Sequence, residues 1–200
     1  MAIMTAAEAR LYLRTISGTS EDTNIASLVA RADSVIASYL GFKAPTAGGS
    51  PTIEDTSYVL YMDGPGGQEL RVPYLPIQSV TSLYDSENRD YLGSDLIDAS
   101  DYELFGDEGL IRLTDTSSAG YFSTARRAIK LTAVIGWATT PEAIKHAAGL
   151  QVAYWFQGRD NVGRVSVNQG GGSATFKPLS LLPEVKEALA PYRNASGWAG

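Results

Sequence analysis

A chain of 200 residues with 44% apolar side chains and a formal net charge of −6 can bury one sizeable core and is barely long enough for two small ones. It has no cysteine, which excludes disulfides and thiolate metal sites and suits a reducing cytoplasm or an assembly built there. Its pI of about 4.8 and its one adjacent basic pair, Arg126-Arg127, give no duplex-binding footprint, and no apolar run is long enough to span a membrane.

Met1-Ala2-Ile3-Met4-Thr5 lacks the basic and apolar regions of a secretory signal. Thr5-Ala6-Ala7-Glu8 has capping-box spacing and predicts a helix over 5–14. Ser20-Glu21-Asp22 places acids at the positive end of a second helix, over 22–40. Ile25, Leu28, Val29, Ala32, Ile36, Tyr39 and Leu40 trace its apolar face. Gly41 is placed to end it in the left-handed conformation. Residues 43–57 read as a loop.

An antiparallel β portion follows over 58–137. Tyr58–Met62 and Glu69–Val72 flank Asp63-Gly64-Pro65-Gly66-Gly67 and predict a hairpin. Pro76–Tyr84 reads as a strand. Tyr102–Phe105 and Leu110–Leu113 flank Gly106-Asp107-Glu108-Gly109 and predict a second hairpin. Ala128–Trp137 is the last strand. Thr140 as cap and Pro141 at the first helical position open a helix over 141–158, with Ile144, Ala148, Val152, Trp155 and Phe156 on one face. That face is expected to pack on the apolar face of the second helix, with Leu28 inside the contact. Residues 161–180, with Gly170-Gly171-Gly172, read as a mobile arm or long hairpin. Pro183–Leu189 is a short helix, and Pro191–Gly200 a tail. The expected fold is α+β: a small helical bundle with an inserted antiparallel β portion and a flexible C-terminal arm. Residues 1–160 form a single domain, and 161–200 the arm, short helix and tail.

No catalytic constellation emerges. His146 is the only histidine and lies off the apolar stripe, so a solvent or subunit-contact role is expected. Gly64-Pro65-Gly66-Gly67 has no following Gly-Lys-Ser/Thr and is a turn, not a phosphate cradle. Asp85-Ser86-Glu87-Asn88-Arg89-Asp90 lacks the register of a calcium loop. No cofactor, no metal and no catalytic residue is expected. The features left over concern association. In the tail, Tyr192, Arg193 and Trp198 are of the types that dominate binding hot spots, and arms and tails without a local core gain order when they bind.

Four stretches, in order, carry a resemblance. They are Thr5–Arg14, Asp22–Ala32 through Tyr39-Leu40-Gly41, Val72–Leu83 with its Pro-x-x-x-Val strand, and Ile135–Ala147 with Pro-x-x-Ile-Lys-x-Ala. Tyr154-Trp155-Phe156-Gln157-Gly158-Arg159 fits the same helix end. The chain thereby resembles the head-tail connector, or adaptor, family of tailed phages and phage-derived gene transfer particles. Where that family often has Tyr-x-x-Gly, this chain has Ile135-Gly136-Trp137-Ala138.

The resemblance implies a virion or phage-like particle location, in the neck, after assembly from the host cytoplasm. It implies a dodecameric homo-oligomeric ring beneath the portal protein, a stopper or tail-completion protein on the far side, and DNA passing only through the lumen. A net-negative wall would repel DNA rather than hold it. The tail residues Tyr192, Arg193 and Trp198 are then expected to bind portal. The alternatives are another neck or tail-completion protein, a carboxylate-based hydrolase of cell-wall glycans, and a monomeric binding module.

Overall fold

The computed structural model describes residues 3–13, 18–159, 166–169, 172–175 and 180–194. The fold is α+β, and the chain divides into two compact units. One spans Met1–Ile36 and Thr140–Arg193, the other Ala37–Thr139 and Asn194–Gly200.

The first unit is helical, and its elements begin as local chemistry dictates. Thr5 Oγ1 accepts from the Glu8 N–H at 3.1 Å, and Glu8 Oε2 accepts from the Thr5 N–H at 2.6 Å, a complete capping box. The Thr5 N–H and hydroxyl hold the Glu8 carboxyl below the usual range. Helix α1 runs only over Ala6–Arg10, shorter than the expected 5–14. Leu11, Tyr12 and Leu13 bond three residues back rather than four, which tightens and ends the helix. Arg10 then reaches Asp22 at 2.7 Å, tying α1 to the first turn of α2 (Asp22–Tyr39).

On α2, Ile25, Val29, Ala32 and Ile36 are buried as the periodicity predicts, but Leu28 is only half-buried. It sits at the edge of the stripe, so the expectation that it lies inside the contact is corrected. Helix α3 (Glu142–Gly158) is buried on most of its circumference, the mark of a central helix. Its closest helix partners are α4 (Pro183–Leu189) and α1. Contact between α2 and α3 includes Arg31, whose guanidinium lies 4.6 Å from the Trp155 ring centroid. Pro141 is extended, with φ −56° and ψ 138°, and its carbonyl accepts from Ile144 and Lys145. It is therefore the cap itself, and neither Thr140 nor any side chain caps α3 as expected.

Two residues of α3 organise its surroundings. The Tyr12 ring lies so close to Gly149 that a Cβ there would fall 2.5 Å from the ring, so a larger residue would push Tyr12 away. Gln151 is fully buried, donates to the Ser180 carbonyl at 3.2 Å and accepts from the Leu182 N–H at 2.9 Å. A buried amide is stable only when satisfied, and these bonds fix where α4 begins. Val185 and Leu189 of α4 are fully buried. Within the 161–180 segment, β7 (Ser166–Gln169) pairs antiparallel with β8 (Gly172–Thr175). The rest of that segment, apart from Ser180, lies outside the described residues.

The second unit contains two three-stranded antiparallel sheets. One has the order β1 (Thr56–Met62), β6 (Ile129–Ile135), β3 (Ile77–Asp85). The other has the order β2 (Glu69–Arg71), β5 (Leu110–Leu113), β4 (Tyr102–Phe105). The β4–β5 hairpin forms as expected. The β1–β2 hairpin does not: β1 pairs with β6 and β2 with β5. Instead of folding back, the glycine-rich loop pairs with a distant segment. Gly64 N–H donates to the Ala125 carbonyl at 3.0 Å and Gly66 N–H to the Ser123 carbonyl at 3.1 Å. The loop thereby crosses from one sheet to the other. Tyr58, Leu83, Leu131, Ala133, Ile135, Leu70, Ile111, Leu113 and Phe122 make the core.

The end of α2 is closed in this unit. Phe42 N–H donates to the Ala37 carbonyl and Gly41 N–H to the Ser38 carbonyl, with Gly41 at φ 91°, a full Schellman closure. Gly136, at φ 118°, sits where a Cβ would overlap the Ile53 and Glu54 carbonyls. Its freedom lets the chain leave β6 while Trp137 N–H bonds the Ile53 carbonyl.

Candidate assembly interface

The tail residues singled out from sequence are separated by the end of the described structure. Tyr192 closes a short 3-10 turn, Ala190–Tyr192, directly after α4, and is half-buried. Arg193 is exposed, with its N–H on the Ala190 carbonyl at 3.3 Å. Trp198 lies outside the described residues. Tyr192 and Arg193 are adjacent and positioned by α4.

The next residue was missed in the sequence. Asn194 is 6% exposed. Its backbone N–H donates to the Leu40 carbonyl at 2.9 Å, and its side-chain oxygen accepts from the Leu75 N–H at 2.9 Å. Leu40 is the last residue before Gly41, so Asn194 satisfies one of the carbonyls that α2 leaves open. The only signal available was a lone asparagine after a basic residue, which has no local pattern. The tail is therefore part of the fold up to Asn194.

His146 is exposed, and its Nδ1 lies 3.2 Å from the Tyr12 hydroxyl. Its ring centroid is 5.6 Å from that of Tyr12. No carboxylate or nucleophile completes a triad in these contacts. Among the described residues, no group of three or more His, Asp or Glu side chains is placed to hold a metal ion, and no helix is long and apolar enough to cross a membrane.

The acidic turn at 85–90 forms one wall of an open cleft of about 420 Å³, whose lining includes Asp85, Asp95, Asp101, Leu96, Ser118 and Tyr121. Asp85 is engaged inward, accepting from Ser123 N–H at 2.7 Å and Ser123 Oγ at 2.6 Å. Buried Ser86 donates to Asp90 at 2.7 Å and holds that carboxyl below the usual range. The Ser100 N–H does the same for Asp98. Asp90 and Asp98 are thereby held charged, the opposite of what a general acid needs, and Asp85 is satisfied by Ser123. Leu96 and Tyr121 beside them are 47% and 67% exposed. A cleft that joins charge to exposed apolar surface suits docking better than chemistry.

No curated protein sequence matches the chain. Solved structures share its fold, among them two chains from particle necks. A chain from the neck of an empty gene transfer agent (GTA) particle, computed with C6 symmetry, is 16% identical with a TM-score of 0.58, over 99% of this chain and 93% of that one. A chain from the neck of a native GTA particle, computed with C12 symmetry, is 15% identical with a TM-score of 0.56, over 98% and 91%. The family model described as head completion protein matches residues 2–195. With a fold of this kind throughout and a family match over nearly its whole length, the chain belongs to the head completion protein family.

Proposed function

We propose that this protein is a structural, non-catalytic subunit of a closed ring in the neck of a phage-like particle, joining head to tail. The observation that carries the reading is the family match over residues 2–195, supported by folds taken from particle necks of C6 and C12 symmetry. Portal protein is the partner on the head side, a stopper or tail-completion protein the partner on the tail side, and DNA passes through the lumen. Residues 1–160 act as the adaptor body, and 161–200 supply contacts to partners. The non-catalytic reading is supported by serine-satisfied carboxylates and by a histidine whose described partner is a tyrosine.

Tyr192 and Arg193, with Trp198 beyond them, are the portal anchor. Helix α4 positions the first two, and Asn194 fixes the chain just after them. Binding of the full chain to portal-bearing heads, compared with Tyr192→Ala/Arg193→Ala and Trp198→Ala variants, tests the anchor. Unimpaired co-sedimentation of all variants would place the portal contact elsewhere.

A further inference from the structure

The register of the β1-β6-β3 sheet assembles a surface that no single strand announces. Residues directly opposite one another share a face. On the outer face, Val59 of β1, Thr132 of β6 and Ser82 of β3 form one row, and Tyr61, Lys130 and Tyr84 form the next. Lys130 Nζ lies 5.4 Å from the ring centroids of both Tyr84 and Tyr91. Tyr91 packs tilted against Tyr61, with ring centroids 5.6 Å apart, and the Arg127 guanidinium lies 5.2 Å from the Tyr61 ring centroid. The Tyr91 hydroxyl locks the arrangement by donating to the Arg127 carbonyl at 2.7 Å. Val59 and Tyr61 remain 49% and 45% exposed.

Two further facts set this face apart. Among the described residues, the non-glycine positions with left-handed backbone are Arg89, Tyr91 and Arg127. Two belong to the cluster and the third is two residues away. Such conformations persist where surroundings impose them, and they concentrate at functional surfaces. Charge also enters the cluster: residues 37–139 contain seven Lys and Arg against fourteen Asp and Glu, and two of the seven, Arg127 and Lys130, lie on these tyrosine rings, with Asp63 accepting from the Arg127 N–H at 2.7 Å.

The geometry points to this face as the surface that receives the acidic cleft of a second copy of the chain. Tyr84 and Asp85 are consecutive on β3, so they leave opposite faces of the sheet. Tyr84 joins the basic aromatic face, and Asp85 lines the cleft with Asp95, Asp101 and Tyr121; Leu96, bridged to Tyr84, borders both at the β3 edge. One subunit thus carries two different surfaces complementary in charge and in apolar character. That is what a heterologous contact repeated around a ring requires. The inference rests on the ring reading above and names the contact that closes the ring.

Because the chain has no cysteine, single cysteines report the contact cleanly. Val59→Cys on the open face and Ser118→Cys at the cleft are placed in separate full-length chains. The chains are mixed, assembled, imaged by electron microscopy and treated with a short bis-maleimide. The expected product is a Val59→Cys–Ser118→Cys heterodimer that forms only in the mixture. Arg127→Glu/Lys130→Glu should weaken self-association about tenfold at low salt with an unchanged melting curve, and an Asp95→Lys/Asp101→Lys partner should restore it. Rings without the mixed cross-link, or self-cross-linking of Val59→Cys alone, overturn this interface and leave the ring reading standing. Absence of any ring, with or without portal, overturns both. Rings unaffected by Arg127→Glu/Lys130→Glu, with retention of a DNA duplex lost instead, would assign the face to nucleic acid and overturn the inference.

Discussion

Replacing Asn194 by alanine should destabilise the protein although the residue lies near the end of the chain. The side chain is 6% exposed and its oxygen is the acceptor for the Leu75 N–H. Removing it leaves that donor without its partner, which costs about 1–3 kcal/mol for a buried group. The backbone bond to the Leu40 carbonyl survives the substitution, and removal of the buried Asn194 Nδ2, which has no partner, offsets part of the cost, so the loss falls toward the lower end of that range. For a chain of this length the full range corresponds to a fall in Tm of roughly 2–12 °C. Thermal unfolding of the full-length variant checks it. A truncation from residue 191 should cost more, since it also removes the donor to Leu40, whereas the anchor proposal requires that removal of 195–200 alone leave the melting curve unchanged. An Asn194→Ala variant that melts with the parent would refute the claim that the tail is built into the fold up to that residue.

Three other outcomes follow from the packing. Ile25→Ala, at a fully buried position, should cost about 2–5 kcal/mol, while Leu28→Ala, at a half-buried one, should cost clearly less; equal losses in urea unfolding would contradict the assigned face of α2. Gly136→Ala should cost at least about 1–3 kcal/mol from backbone strain alone, with the clash against Ile53 and Glu54 in addition, and full stability would show that the β6 exit is misread. Burial pushes the Tyr58 phenol up to about 12. Its folded pKa lies above its unfolded value of about 10, so its contribution is present below pH 10 and is lost as pH rises toward 12. Tyr58→Phe should flatten that alkaline decline, and an unchanged slope would contradict it.

What the sequence made legible was local. The Thr5–Glu8 capping box, the Gly41 helix end, the turn between Leu104 and Leu110 and the short helix at Pro183 all depend on neighbours within a few residues, and each formed. What it hid was non-local. The Gly64–Gly67 loop looked like a hairpin turn, yet its backbone donors find Ser123 and Ala125 some sixty residues away. A glycine-rich turn is compatible with either partner, and only the sheet pairing decides. Asn194 gave no signal because its partners, Leu40 and Leu75, are more than a hundred residues away in the chain. The aromatic face was invisible for the same reason: Tyr61, Tyr84, Tyr91, Arg127 and Lys130 meet only once the register of β1, β6 and β3 is set. Arg126-Arg127 precedes β6, but nothing local placed Arg127 on a tyrosine ring.

The central claim, a ring subunit of the particle neck, is tested most directly by electron microscopy of the purified full-length protein with and without portal-bearing heads. The account predicts closed rings of twelve-fold symmetry seated on the portal, each subunit presenting its β1-β6-β3 face to its neighbour. Particles whose portals remain bare in the presence of excess protein would contradict it.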